Sequence, residues 1–422
     1  MHRAPAQRDT FKFREIRSCC EHEAYPSSAI ELYLAPRMKY YSHLNTAETI
    51  LTQYKGTQPF VLFIKDFFKA DKKYGSKDRR RITTLCYAYF RLGKINSHVE
   101  TKERILLGLF LTSNSPDDLL QATKPEWNAG IGLSVEEKLK LAGCAYASGD
   151  HFPAVEQLEK EIDERAFTLS HFTQPDLFLR IRPGQSENVK RSLEQADIPF
   201  RQVTETCMAL PNASRLDDVI DINREAVIQD LSSQRVLELL NGEDGFIPKQ
   251  VWDCCAASGG KSLLVYDRYS GIQLTVSDVR ENILQNLSKR FREAGITCYK
   301  GFVADLSKPV DPGQRFDLIM ADVPCTGSGT WGRTPEQLVF FEKTKIDEYA
   351  MRQRQILLNT WKHLKPGGYF LYITCSVYEQ ENQAAVAYAL EHTKLQLVRS
   401  ALFQGFEKRA DTLFAALFSM PA

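Results

Sequence analysis

FDLIMADVPCTGSG, residues Phe316–Gly329, runs from a continuous apolar stretch straight into an acid, a proline and a cysteine. Phe316, Leu318, Ile319 and Met320 have the character of a strand buried on both faces, and the glycines after Cys325 forbid its continuation as a regular element. Asp322 and Cys325 are therefore expected at a strand's carboxyl end, the edge at which open α/β sheets bind ligands. A second cysteine arrives in the same way, because YFLYITCS, Tyr369–Ser376, reads as a strand ending in Cys375.

Around these two stretches strands and helices alternate from Gly245 onward. Strands are expected at Gln250–Cys254, Gln273–Ser277, Thr297–Phe302, Phe316–Ala321 and Tyr369–Thr374, with helices from Lys261, over Glu281–Ala294 and over Ile346–Leu364. Such alternation predicts a mostly parallel sheet with helices on both faces. Leu395–Val398 and Leu413–Phe418 are expected to finish it as antiparallel strands.

Upstream the text changes twice. Tyr41 to about Ala147 is helical in pattern: Phe60, Val61, Ile64, Phe67 and Phe68 fall on one face, and Ile105, Leu106, Leu109 and Phe110 repeat the spacing. Ser134 followed by Glu137 reads as a capping box, and an all-α domain of about five or six helices is expected. Pro153 to Gly245 looks like a small α/β insert, with a strand at Leu177–Pro183 and helices at Glu187–Ala196 and Ile228–Leu240. Residues 1–37 show no sustained period, and the regular pattern that opens at Met38 raises the expectation that translation begins there. The expected organisation is thus an extension at 1–37, a helical domain at 38–150, a linking α/β domain at 151–245 and the main α/β domain at 246–422.

Composition bounds the partners. The net charge of +1 gives no global sign of nucleic acid, and 43% hydrophobic residues suffice for ordinary cores. Ten cysteines occur without a CxxC pair or a Cys/His cluster, and no apolar run approaches the ~18–20 residues that span a bilayer. Reduced thiols, a cytoplasmic location, no metal and no membrane are expected, with the chain a monomer. One local patch stands out: Lys72, Lys73, Lys77, Arg79, Arg80, Arg81, Arg91 and Lys94 crowd a span opposed only by Asp71 and Asp78. It is a candidate grip for a phosphate backbone, although a solvated helix face explains charge alone more simply.

DCCAASGGKS, Asp253–Ser262, is a strand, a small-residue turn and a helix start, the place where nucleotide-type ligands bind. Cys255 stands where a phosphate-binding P-loop requires glycine, and the three-glycine dinucleotide fingerprint is missing. A loop that admits close backbone approach without a full phosphate cradle suits S-adenosylmethionine. Cys255, Ala256, Ala257, Ser258, Gly259, Gly260 and Lys261 are the candidate contacts, with Asp278 for a ribose diol, Asp305 for an adenine edge and Asp322 beside them. Each acid alone is as readily a helix cap. Three successive strand ends carrying one are harder to dismiss.

These motifs resemble the Sun-type, also called Fmu or RsmB, RNA 5-methylcytosine methyltransferases. The resemblance rests on DCCAASGGKS, on Asp278 followed by Asn286, Arg290 and Gly295, on Asp305, on ADVPCTGSG with Arg333, on Gln353 before Ile356-Leu357, and on LKPGGYFLYITCSVYEQEN. It extends from Gln229 to the C-terminus, and the helical segment is more loosely similar to the NusB-like RNA-binding domain of some members. Ser258 replaces the usual proline of the cofactor loop, and ADTLFAALF replaces a more typical terminal run.

The resemblance implies a Rossmann-like methyltransferase domain with a seven-stranded sheet, S-adenosylmethionine as methyl donor, and RNA, ribosomal above all, as substrate. Transfer RNA stays open, as does a non-catalytic role in ribosome assembly. Carbon 5 of cytosine becomes nucleophilic only after a thiolate adds to carbon 6. The resemblance assigns that attack to Cys375, release to Cys325, the hold on the base to Asp322 and thiolate formation to Lys261. A DNA cytosine methyltransferase would instead attack with Cys325. Arg333 is balanced between a phosphate contact and a loop anchor, and Cys86, Cys144, Cys254, Cys255 and Cys298 are expected to be buried small hydrophobes.

Overall fold

Apolar residues at helical spacing build the first region of the computed structural model, which describes residues 41–243 and 245–422. The expectations for residues 1–37 and for a start at Met38 lie outside the described residues. Among the described residues, seven helical segments precede Ala142: residues 41–53, Phe60–Ala70, Ser76–Phe90, Thr101–Thr112, Asp118–Thr123, Pro125–Ala129 and Val135–Leu141. This exceeds the expected five or six. The extra break falls at Lys124, which the following Pro125 restricts to a non-helical conformation. Phe60, Ile64 and Phe68 are buried as expected, but Val61, one 100° step round the helix from Phe60, is 57% exposed. Ser134 and Glu137 form the capping box. The result is an all-α region consistent with a NusB-like domain.

Four short strands follow: β1 (Leu177–Ile181), β2 (Arg201–Thr204), β3 (Cys207–Leu210) and β4 (Ala226–Ile228), paired antiparallel in the order β2-β3-β1-β4. The expected helix over Ile228–Leu240 is corrected. Ile228 ends β4, and the Asp230 carboxylate accepts the Ser232 N–H at 2.9 Å, capping a short helix at Leu231–Arg235 that tightens into a 3₁₀ turn at Val236–Leu240.

The remaining strands form one sheet: β5 (Gln250–Asp253), β6 (Gln273–Asp278), β7 (Lys300–Val303), β8 (Phe316–Asp322), β9 (Leu364–Thr374), β10 (Gln396–Gln404) and β11 (Thr412–Ser419). Their order is β10-β11-β9-β8-β5-β6-β7, parallel from β9 to β7 and antiparallel at β10 and β11. This is a Rossmann-like methyltransferase architecture. Alternate residues of β5, β8 and β9 serve opposite cores: Val251, Leu318, Met320 and Leu371 on one face, Trp252, Ile319, Ala321 and Phe370 on the other. Buried ADTLFAALF residues make β11 an interior strand. β7 begins at Lys300 rather than Thr297, which leaves Cys298 exposed in the preceding loop, against the expectation that it is buried. Cys86 and Cys254 are buried, while Cys144 and Cys255 are half-buried.

The chain runs outward from β5 through β6 to β7, then returns to β8 on the other side of β5. The carboxyl ends of β5 and β8 consequently flank the point where strand order reverses, the crevice in which such sheets bind ligands. The segment after β8 also carries the other regions. Phe152 and Phe167 pack with Trp331 and Tyr378, and Phe340 inserts against Tyr54 of the helical region at 5.2 Å between ring centroids.

Candidate active site

Strand ends bring the acids and thiols of the sequence motifs to one edge. After β5, Ala257 adopts a left-handed conformation (φ 44°) and its N–H donates to an Asp278 oxygen at 3.0 Å. Gly259 is also left-handed (φ 84°), and a Cβ there would stand 2.7 Å from the Phe291 ring, so glycine is required on two counts. Ser258, at the position where proline is usual, is held by Arg290: one guanidinium N–H reaches its hydroxyl at 3.1 Å and its carbonyl at 3.3 Å.

Asp278 ends β6 with its carboxylate engaged by Arg280 at 3.0 Å. Burial acts to raise this carboxyl, but the Arg280 bonds outweigh it and hold it below its usual range. Asp305 is exposed and takes the Ser307 hydroxyl at 2.6 Å, which lowers its pKa; it also faces Lys308. Both acids line a cavity of about 520 Å³ together with Cys254, Cys255, Ala257, Val279, Leu306, Asp322, Pro324, Tyr349, Arg352 and Ile356. Arg280, Tyr349 and Arg352 carry no motif signal that sequence reasoning used. Ala256 is buried, and its N–H is taken by the Ser277 carbonyl at 2.9 Å.

Asp322, the last residue of β8, accepts the Lys261 ammonium at 2.7 Å from the first turn of the helix Gly260–Arg268. Burial pulls the Lys261 pKa down, but the Asp322 charge and hydrogen bond, with smaller contributions from Cys375 and Asp253, raise it overall. Lys261 is therefore a firm cation beside the thiol of Cys375. Asp253, fully buried at the end of β5, accepts the Ser262 hydroxyl at 2.5 Å; desolvation pushes its carboxyl up to about 7.

The two strand-end cysteines meet. Cys325 Sγ and Cys375 Sγ lie 3.2 Å apart as free thiols, and the Cys375 N–H points at Cys325 Sγ at 3.3 Å. The hydrogen bond to the Cys375 sulfur, then burial, pushes the Cys325 thiol well above its ordinary pKa. Either sulfur of the pair can be the donor in this contact. Gly329 crosses Thr412 so closely that a Cβ would stand 1.9 Å from the Thr412 carbonyl oxygen, which seats the glycine-rich loop against β11.

Arg333 is engaged within the chain: its guanidinium binds Asp230 at 2.7 Å and Asp411 at 2.9 Å, the contacts a loop anchor makes. The basic patch is also partly spent within the helical region. Arg81 forms a two-point bridge to Asp117 at 2.7 and 2.6 Å, Arg79 donates to the Tyr74 carbonyl, and Arg91 is buried with bonds to His171, Gln174 and Gly332. Lys72, Lys77, Arg80 and Lys94 remain exposed, and Lys73 is an exposed partner of Asp71. Sequence reasoning also missed any role for Glu381, which is fully buried beside both cysteine turns.

Residues 237–414 match the family described as 16S rRNA methyltransferase RsmB/F. Ribosomal RNA small subunit methyltransferase B of Shewanella oneidensis is 34% identical over 361 residues, covering 75% of this chain and 82% of the relative. The chain belongs to the RsmB/F family. The same-named protein of Xanthomonas campestris pv. campestris is 30% identical over 226 residues, so this RsmB/F-family chain spans about half of that relative (49%). Among solved structures, PH0851 superposes with a TM-score of 0.65 at 19% identity, covering 88% of this chain and 97% of that one. NSun6 from Pyrococcus horikoshii with SFG gives a TM-score of 0.56 at 13% identity, covering 64% and 99%. At these identities the likeness to the RsmB/F-family chain is one of fold. Among the described residues there is no cluster of metal-binding side chains and no helix long and apolar enough to cross a membrane.

Proposed function

We propose that this chain transfers a methyl group from S-adenosylmethionine to carbon 5 of a cytosine in structured RNA, with small-subunit ribosomal RNA as substrate, through a covalent adduct of Cys375 to carbon 6. The observation that carries the reading is the thiol pair, 3.2 Å apart, beside the Lys261–Asp322 ion pair at the edge of the cavity. The names of the relatives supply the RNA.

The cavity fits the methyl donor in size and character, because ligand pockets span roughly 300–1,000 Å³ and combine apolar walls with a few placed polar groups. Val279, Leu306 and Ile356 offer the walls; Asp278 and Asp305 offer acceptors at two strand ends. When bound, S-adenosylmethionine supplies an electrophilic methyl group on a sulfonium.

The chain's residues do the rest. The Lys261 cation stands beside Cys375, whose sulfur adds to carbon 6 as a thiolate, while Asp322 holds the ring nitrogen and exocyclic amine of the cytosine. Before the adduct forms, the Cys375 sulfur keeps the Cys325 proton in place. Once that sulfur is bonded to carbon it is neutral and a weak acceptor, so the main influence holding the proton on Cys325 is gone. Cys325 can then lose that proton to solvent and, as a thiolate, take the proton from the methylated carbon 5; the C–H electron pair forms the carbon 5–carbon 6 double bond as the Cys375 sulfur leaves carbon 6 with the pair of its own bond, and aromaticity returns. Extracting the target base from its stack is required of any enzyme that acts on a base.

Cys325→Ala and Cys375→Ala proteins, incubated with ribosomal RNA and S-adenosylmethionine, test the assignment. The first is expected to accumulate a denaturation-resistant RNA adduct, the second to form none, and the opposite pattern overturns the roles. Bisulfite sequencing of total RNA with and without the gene identifies the target; a transfer-RNA cytosine would replace the ribosomal substrate.

A further inference from the structure

Beyond Asp322 and Thr374 the ladder between β8 and β9 ends, and the bond from Val323 N–H to the Ile373 carbonyl at 3.0 Å is its final tie. The thiols sit past that point, on two separate turns. One buried carboxylate reaches both. Glu381 Oε1 accepts the Thr326 N–H at 2.9 Å and the Gln353 amide at 2.8 Å; Oε2 accepts the Thr326 hydroxyl at 2.5 Å and the Ser376 hydroxyl. Thr326 directly follows Cys325, and Ser376 directly follows Cys375. The same Gln353 amide donates to the Pro324 carbonyl at 3.0 Å, on the other side of Cys325. Tyr372 closes the arrangement, its one hydroxyl proton lying between Gln353 Oε1 at 3.0 Å and the Glu381 carbonyl at 2.7 Å.

We propose that Glu381 is a positioning residue: it clamps the turn carrying Cys325 to the turn carrying Cys375 and thereby sets the contact between the two thiols. A carboxylate accepts about four donors without conflict, so one side chain can satisfy both turns at once. Burial raises its pKa while the four donors offset part of that rise. Its charge adds to the influences that keep the Cys325 proton in place. The catalytic consequence rests on the proposed function above, but the clamp itself does not.

Thiol closure provides a test that needs neither RNA nor methyl donor. Diamide takes up two hydrogens as the Cys325 and Cys375 thiols join in one S–S bond, and intact mass with peptide mapping follows the product. Wild type is expected to close rapidly because its sulfurs are already in contact. Glu381→Ala, with melting checked by circular dichroism, is expected to close at least about tenfold more slowly, since exchange rates depend on the approach of the attacking sulfur. Glu381→Gln is expected to restore closure to within about threefold of wild type: its amide oxygen takes Thr326 N–H and Gln353, and its NH₂ donates to the Thr326 and Ser376 hydroxyls. Ser376→Ala, a smaller change for the case in which Glu381→Ala does not fold, removes the Glu381 contact on the Cys375 side together with the hydroxyl's contacts to Thr326, Ser328 and the Tyr378 N–H, and is expected to slow closure measurably. Closure at the wild-type rate in Glu381→Ala or, where that protein does not fold, in Ser376→Ala overturns the proposal, as does Glu381→Gln closing as slowly as Glu381→Ala. In parallel methyl-transfer assays, Glu381→Ala should lower kcat with little change in KM, and Glu381→Gln should recover it. Altered closure with no methyl transfer by wild type would leave the clamp standing and remove the activity reading.

Discussion

Replacing Arg333 by Met separates an anchoring role from a phosphate contact. Arg333 lies between Asp230 and Asp411, each with a side chain only 9% exposed, and its own side chain is 29% exposed. Removing the guanidinium leaves two carboxylates facing one another in a poorly solvated site. Breaking a buried ion pair from one side costs about 3–5 kcal/mol, and the partial exposure of Arg333 argues for the lower end, about 3 kcal/mol. That is a factor of about 150 in the unfolding equilibrium constant, read as a lowered urea midpoint by tryptophan fluorescence. The sign with pH is fixed as well. Burial, then the Asp230 charge, already pushes the Asp411 carboxyl up to about 7 against the pull of Arg333. Without Arg333 the folded state binds still more protons than the unfolded chain above pH 4. The variant is therefore expected to lose more stability at pH 8 than at pH 5.5. Adding Asp230→Asn and Asp411→Asn should recover much of the loss. The salt dependence of RNA binding should not change, because no phosphate contact is removed. A variant with wild-type urea stability and a salt slope smaller by about one would refute the reasoning and return Arg333 to the RNA.

Two further outcomes follow from the same contacts. Changing Lys72, Lys77 and Arg80 to Gln is expected to reduce the slope of log binding constant against log salt by about two to three, with stability changed by less than about 0.5 kcal/mol; an unchanged slope would take this patch out of RNA contact. His151 and His171 are buried and neutral, with burial pulling them down to about 3 and about 4. Their stabilisation is present above the unfolded value near 6.5 and is lost as pH falls toward 4, at about 1.4 kcal/mol per pH unit for each. Asp253 and Asp411, both pushed up to about 7, act with the opposite sign in this window. The measurement is accordingly a difference: relative to wild type, His171→Gln should gain about 1.4 kcal/mol between pH 6 and pH 5. A difference that stays constant with pH would contradict a depressed His171.

Local pattern carried much of the architecture. Apolar runs such as Phe316–Met320 and Tyr369–Ile373 are legible because a strand buried on both faces must be apolar throughout, and the turn residues after Cys325 and before Lys261 mark where those strands stop. Where burial is decided by a neighbour the pattern failed. Val61 continues the apolar text of its helix yet faces outward, and the Ile228–Leu240 segment loses its first turn to the Asp230 cap.

By itself, then, the sequence determined that a parallel sheet would deliver acids and two thiols to one edge, since strand periodicity and turn chemistry are properties of neighbouring residues. Tertiary structure decided which charges are spent and which are free. Arg333 meets Asp230 across 103 residues, Arg91 meets Gly332 across 241, and Glu381 gathers Thr326 across 55. No local period records such pairings, because a buried charge must find its partner wherever the folded chain brings one. The stretch Phe316–Gly329 is legible as a strand ending in an acid and a thiol, and its contact with the turn at Cys375 exists only once the sheet has folded.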